Sequence, residues 1–367
     1  MAKILFLPLL QISSGHHQVA HSIMDELKMR DKQTTCEKVD ILSYSYKFIE
    51  PIVSALYLKW IHYFPSVYHW IYQKSVYTKL DLVKTFRTYE VLFIPYMKRL
   101  LEEKQPDIIV CSHALPSYLV CKLKEEGYCT CKIVNIYTDY FIHHLWGIQE
   151  VDAHFISLNS MRYFLQKKGV NETKIYQTGI PIHPIYKEYV KRETDVPSNS
   201  ITSVLVSGGS LGVGNIHKLL SNVPYDADIH FHVLCGKNTG LHDQLKKRSH
   251  PRITPYSYIS SKESLNRLYN QVQAVLTKPG GVTLSECLHK RLPILVYGHL
   301  PGQEKINVDA LVQEKLITLM NEADSYTQLE QQIKQIIHST TLNTSYENYH
   351  NSLCSTSPAD YILKSCM

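Results

Sequence analysis

Four short stretches of the chain carry residue types and spacings that can do chemistry. Ser207-Gly208-Gly209-Ser210-Leu211-Gly212 follows an apolar run and precedes a helical pattern. Glycines let the backbone approach an anion closely, and a helix N-terminus favours negative charge. The stretch does not fit G-x-G-x-x-G, because His217 stands where a third glycine would fall after Gly212 and Gly214. It does not fit the Walker pattern either, since Asn215 replaces the lysine after Gly214. Phosphate binding and a plain strand-to-helix turn both stay open for it. Lys278-Pro279-Gly280-Gly281-Val282-Thr283-Leu284-Ser285-Glu286 also follows an apolar run and starts a helix. Glu286, a turn or so inside, can accept hydrogen bonds from a ribose diol, or can be a helix-start carboxylate favoured by the macrodipole. Two such glycine-rich helix entries in one half of the chain favour a diphosphate ligand over either signal alone.

The third stretch, Leu300-Pro301-Gly302-Gln303-Glu304, offers an adjacent amide and carboxylate suited to several sugar hydroxyls, or a helix cap. The fourth, Ser13-Ser14-Gly15-His16-His17, ends the loop after the first apolar run. A histidine there can take a proton near neutral pH, although it is one of 19 in the chain. Asp226-Ala-Asp228 resembles a metal-binding D-x-D, but the preceding Asn222-Val-Pro-Tyr makes it a turn leading into a strand. The nine cysteines are scattered and form no C-x-x-C pair, which reads as reduced thiols, and no metal site is expected.

The elements that position these stretches alternate from end to end, apolar run then amphipathic stretch, the pattern of parallel α/β layers. Strands are expected at Ile4–Leu10, Val39–Leu42, Ile108–Cys111, Ile133–Tyr137 and His154–Ser157. In the second half they are expected at Ser203–Val206, His230–Leu234, Ala274–Thr277, Pro293–Val296 and Leu316–Leu319. The 367 residues suit two doubly wound domains with a cleft between them. The division is 1–186, a polar linker at 187–202, a second domain at 203–345, and a tail at 346–367 that can pack back on the first domain. Ligands in such sheets bind beyond the carboxyl ends of strands.

Residues 51–77 depart from this pattern, being dense in aromatics. Tyr57, Trp60 and Phe64 follow helical spacing, and Pro65 can open a second helix carrying Trp70. This is either a helical pair packed on the first domain or an element lying in a membrane interface, with Lys47, Lys59, Lys74 and Lys79 facing anionic lipid. No apolar run of about 18 residues exists, so no spanning helix is expected, and the opening segment reads as a buried strand rather than a signal peptide. The net charge of +6 is weak for a nucleic-acid protein and compatible with an anionic membrane surface.

Taken in order, G-H-x-x-x-A from Gly15, T-D-x-x-x-H-x-x-W at Thr138–Trp146, G-I-P-I at Gly179–Ile182, C-G-K-N at Cys235–Asn238, K-P-G-G-x-T-x-x-E and P-G-Q-E-x-x-N resemble one family. It is that of the bacterial diacylglycerol glucosyltransferases and plant monogalactosyldiacylglycerol synthases, glycosyltransferase family 28. The similarity runs roughly from Lys3 to Asn321. It implies a GT-B fold, two Rossmann-like domains, and inverting, metal-independent transfer of a hexose, glucose, from a UDP-sugar to a membrane lipid such as diacylglycerol or a glucosyl-diacylglycerol. No cofactor is implied beyond the donor substrate, and the place implied is cytoplasmic, peripheral on the inner face of the cell membrane.

By motif, the resemblance makes His16 the general base and has Asp139 orient His16 or the acceptor. Gly209, Ser210, Gly281, Val282 and Thr283 would contact the diphosphate, Glu286 the ribose, and Gln303 and Glu304 the hexose. Backbone groups near Tyr258 and Ile259 would read the uracil. Tyr57, Trp60, Phe64 and Trp70 fall where the family carries membrane-facing helices. Ser13 and Ser14 stand where relatives are richer in glycine and asparagine. That departure keeps open a weakly catalytic UDP-sugar sensor, beside transfer to a polyprenyl-linked lipid. A UDP-GlcNAc 2-epimerase-like enzyme shares the architecture but needs no lipid.

Overall fold

The computed structural model describes residues 2–9, 15–46, 86–188, 201–209, 212, 216–320 and 325–366. The chain divides into two units, Met1–His183 with Ser352–Met367, and Pro184–Asn351. Each is built on a six-stranded sheet in which every pairing is parallel.

The first sheet takes β1 Lys3–Leu7, β2 Thr35–Lys38, β3 Ile108–Cys111, β4 Lys132–Ile136, β5 Ala153–Ile156 and β6 Ile175–Gln177 in the order β2-β1-β3-β4-β5-β6. Its central strands are apolar runs because a parallel sheet is covered on both faces. Ile108, Ile109, Val110 and Cys111 are all buried. The order reverses between β1 and β3, which pair with Ile4 opposite Ile108 and Leu7 opposite Cys111. Helix α1 (Gly15–Arg30) leads from β1 toward β2, α2 is Ile41–Ser45, α3 is Arg87–Lys104, and α4 (Ala114–Glu125) follows β3. Later in the unit comes α5 (Asn159–Lys167).

One expected strand is corrected. Val39–Leu42 is not a strand: β2 lies four residues earlier, and Asp40 accepts a hydrogen bond from the Leu42 amide at 2.8 Å to cap α2. An edge strand that alternates exposed and half-buried residues carries too little apolar signal to compete with the following Ile41-Leu42.

The second sheet takes β7 Thr202–Ser207, β8 Ile229–Leu234, β9 Ile253–Tyr256, β10 Ala274–Thr277, β11 Ile294–Val296 and β12 Thr318–Leu319. Its order, β12-β11-β10-β7-β8-β9, is the Rossmann order 3-2-1-4-5-6 read from the other side. The reversal falls between β7 and β10, where Ser207 pairs with Thr277. Helices α6 (Ile216–Leu220), α7 (Thr239–Arg248), α8 (Lys262–Gln271), α9 (Gly281–His289) and α10 (Gln303–Gln313) follow successive strands, and α11 (Tyr326–Ile337) and α12 (Thr340–Ser352) complete the unit.

The turn Pro184–Tyr186 belongs to the second unit, although the sequence division puts it in the first. Tyr186 packs edge-on against Tyr269 of α8, with ring centroids 5.8 Å apart. The chain rejoins the first unit at Ser352 rather than at 346. There α13 (Pro358–Cys366) docks on α1, where Arg30 pairs with both Asp360 and Glu26. Ser357 Oγ donates to Asp360 at 2.8 Å.

Candidate active site

In the first unit α1 starts at Gly15, so His16 stands in its first turn, half-buried beside the β1/β3 reversal. Its Nδ1 lies 2.8 Å from the Ser112 carbonyl oxygen and 2.8 Å from Thr138 Oγ1. A carbonyl only accepts, so Nδ1 carries the ring proton and Nε2 keeps its lone pair. Ser112 Oγ donates back to the His16 carbonyl oxygen at 3.1 Å, closing a clamp across 96 residues of sequence. Ser112 follows β3 and Thr138 follows β4, so the three residues meet at the carboxyl ends of neighbouring strands.

Two further imidazoles bear on His16. His113 caps α4, its Nδ1 accepting from the Leu115 amide at 3.2 Å, and its ring meets that of His16 edge to face at 4.8 Å. Burial lowers the His16 pKa below its usual value, while the Asp139 carboxylate and the Ser112 carbonyl raise it in part. Burial, with His16 and His143 as neighbours, holds His113 well below the ordinary imidazole range. His143 is brought down to about 4, again by burial first and His16 second. The cluster is therefore neutral at pH 7, as a proton acceptor must be. Asp139, half-buried in the bend after β4, adds the charge that favours an imidazolium once it forms.

In the second unit the glycine-rich stretches flank the β7/β10 reversal, where doubly wound sheets take their ligands. Gly209 has φ +72° and Gly212 φ +61°. A Cβ on Gly212 would sit 1.9 Å from the Cys235 carbonyl oxygen, so the loop after β7 lies directly against the loop after β8. Asn238 links the two: it caps α7 by accepting from the Leu241 amide at 3.0 Å, and its Nδ2 donates to the Gly212 carbonyl at 3.1 Å. The buried Tyr297 hydroxyl donates to the Ser207 carbonyl at 3.2 Å. Ser210 lies outside the described residues.

Helix α9 starts at Gly281 with Gly280 as N-cap and no side-chain cap, placing the amides of Gly281, Val282 and Thr283 in its first turn. Such a terminus can stabilise an anion through amide hydrogen bonds and the helix dipole. One turn on, Glu286 accepts from the Tyr269 hydroxyl at 2.8 Å, and burial pushes its carboxyl up to about 7. Gln303 opens α10 after β11, the strand beside β10. Glu304 Oε2 accepts from the Leu300 amide at 2.6 Å, so one of its oxygens is used in shaping that loop. Tyr258 and Ile259 follow β9 at the far edge of the sheet. Tyr258 is 47% exposed, with Lys237 Nζ 5.9 Å from its ring centre.

Nine residues assigned from the sequence to the donor thus sit on the loops and first helical turns that follow β7, β9, β10 and β11, at one end of the sheet. Asp226 and Asp228 precede β8 at the other end, where Asp228 pairs with Lys334 at 3.1 Å. Among the described residues no group of three or more His, Cys, Asp or Glu is arranged to hold a metal, and no helix is long and apolar enough to cross a membrane. Tyr57, Trp60, Phe64 and Trp70 lie outside the described residues. Sequence reasoning missed Ser112, His113, Tyr269 and Tyr297, which no motif marks. Thr138, His143 and Asn238 stood inside quoted motifs without a role.

The family model for monogalactosyldiacylglycerol (MGDG) synthase matches residues 16–182, beginning at His16 itself. An uncharacterized glycosyltransferase of Bacillus subtilis (strain 168), YkoN, is 41% identical over 324 residues, 88% of this chain and 86% of that protein. A processive diacylglycerol beta-glucosyltransferase of Bacillus cereus (strain B4264) is 27% identical over 304 residues, 80% of this chain and 76% of its own length. The calicheamicin glycosyltransferase shares the fold with a TM-score of 0.63 at 10% identity, over 100% of this chain and 98% of that one. The chain is therefore a glycosyltransferase of GT-B fold and belongs to the family 28 lipid glycosyltransferases.

Proposed function

We propose that this glycosyltransferase moves glucose from UDP-glucose to a hydroxyl of diacylglycerol or of glucosyl-diacylglycerol, with inversion and without a metal, on the inner face of the cell membrane. The single observation that carries the reading is the clamp on His16. Its Nδ1–H is spent on the Ser112 carbonyl, so Nε2 is the atom that takes a proton. An alkyl hydroxyl is a weak nucleophile until its proton begins to leave. In the proposed step Nε2 accepts that proton as the oxygen attacks the anomeric carbon from the face opposite UDP. The bond to the diphosphate oxygen breaks, and an α-linked donor gives a β-linked product. Asp139 stabilises the imidazolium so formed, and the first-turn amides of α9 stabilise the departing diphosphate.

Glu286 holds the ribose in this reading, Gln303 and Glu304 the hexose, and Tyr258 and Ile259 border the base. The acceptor class and the sugar are supported by the name of the Bacillus cereus relative, which acts on diacylglycerol and transfers glucose in β linkage. The test is incubation of the purified protein with vesicles containing diacylglycerol, in EDTA, with labelled UDP-glucose, UDP-galactose and UDP-GlcNAc in parallel. Transfer of glucose to the lipid as the β-anomer is expected. Transfer of another sugar only, or activity that disappears with EDTA and returns with manganese, overturns the corresponding part of the reading.

A further inference from the structure

We propose that Tyr269 is a positioning residue for the donor, fixing Glu286 through its hydroxyl, and that donor binding expels a proton from Glu286. The inference rests on the reading of Glu286 as the ribose ligand. Tyr269 stands on α8 at 2% exposure, and its hydroxyl donates to Glu286 Oε2 at 2.8 Å. The ring is itself held, because Tyr186 packs edge-on against it at an interplanar angle of 86°. A carboxylate pinned through Oε2 keeps Oε1 in one orientation.

Two ribose hydroxyls that both donate need a carboxylate, since a protonated carboxyl gives up acceptor capacity to its own O–H. Free Glu286 is held up to about 7 by burial, while the Tyr269 bond works in the other direction. The groups that face this cluster are Tyr269 from α8 and Tyr186 from the turn Pro184–Tyr186. Glu263 acts on Tyr186, and Cys287 acts on Tyr269. Burial pushes both phenols upward, so they stay protonated donors while Glu286 changes charge. On binding, the carboxyl O–H breaks, its proton passes to the buffer, and the ribose hydroxyls take its place on the oxygens.

The sign follows from linkage. A carboxyl whose pKa falls on binding releases a proton below its free value, so affinity rises with pH up to that value and levels above it. For a free value of about 7, affinity at pH 6 is roughly tenfold weaker than at pH 8. The probe is UDP-glucose, both of whose phosphates are esterified, because UDP itself carries a terminal phosphate that titrates at about pH 6. Calorimetry at pH 6.5 in buffers of unlike ionisation heat is expected to count roughly three quarters of a proton released per donor bound.

Glu286→Gln keeps the shape and should bind with no proton release and a flat pH profile. Tyr269→Phe keeps the ring against Tyr186 and should move the midpoint up by about one pH unit, having lost a hydrogen bond to the charged form. A wild type that binds without proton exchange while Glu286→Ala weakens binding overturns the proton linkage and leaves the donor site standing. An unmoved midpoint in Tyr269→Phe removes its positioning role. Unchanged affinity in Glu286→Ala removes Glu286 from the donor site, and this inference with it.

Discussion

A neutral imidazole donates through only one nitrogen, so the 2.8 Å contact between His16 Nδ1 and the Ser112 carbonyl decides which nitrogen acts. The charge state follows from burial, which lowers the His16 pKa below 6.5, and from Asp139, which opposes that fall. A base works only when deprotonated, so turnover should drop as pH falls through that lowered value. The acid limb of kcat is expected below 6.5, and Asp139→Asn should move it lower still. An acid limb that moves upward in Asp139→Asn contradicts this account. His16→Ala should lose about 10²–10⁴-fold in turnover while donor affinity stays within a factor of a few. His16 and Asp139 were singled out in the sequence by the motifs G-H-x-x-x-A and T-D-x-x-x-H-x-x-W that carry the family resemblance. Ser112 and His113 were not. Nothing local marks them, and only the pairing of β1 with β3 brings residue 112 to residue 16.

Elements explain why the glycine-rich loops hold their shape. The loop after β7 is constrained by the loop after β8: Gly212 lies where any Cβ would meet the Cys235 carbonyl, and Asn238 ties the same peptide to the start of α7. Gly209 in the same loop also has positive φ, yet a Cβ there meets nothing within 4 Å. Gly209→Ala should therefore cost only the left-handed penalty, about 1–2 kcal/mol. Gly212→Ala adds a backbone clash that no rotamer relieves, and it should destabilise more and weaken donor binding more. Denaturant unfolding and donor titration of the two variants rank them, and equal losses would mean the contact with Cys235 gives way easily. The sequence showed both glycine-rich stretches and their strands, since buried parallel strands such as Ala274–Thr277 are continuous apolar runs. It did not show β6 or β9, which are three and four residues long and only partly buried. It misplaced β2 for the same reason.

At the scale of the whole molecule, the proposed transfer requires a chain without an apolar run long enough to span a bilayer to reach a lipid hydroxyl. A net charge of +6 would add long-range attraction to an anionic surface, about 1 kcal/mol per basic residue near it, and weaker with salt. Under the proposed function charge alone would not bring a neutral acceptor to His16, so an apolar element entering the interface is expected as well. Residues 51–77, with Tyr57, Trp60, Phe64 and Trp70 among four lysines nearby, have the composition for it. Vesicle sedimentation should then increase with anionic lipid, decrease with salt, and fall in Trp60→Ala and Trp70→Ala while affinity for UDP-glucose is unchanged. The competing reading, a helical pair that belongs to the core of the first unit, makes a different claim. Removing a packed Trp from a core costs about 3–5 kcal/mol, so Trp60→Ala would lower the unfolding midpoint steeply. Sedimentation and unfolding measured on the same variant separate the two, since a membrane anchor loses vesicles and keeps its fold.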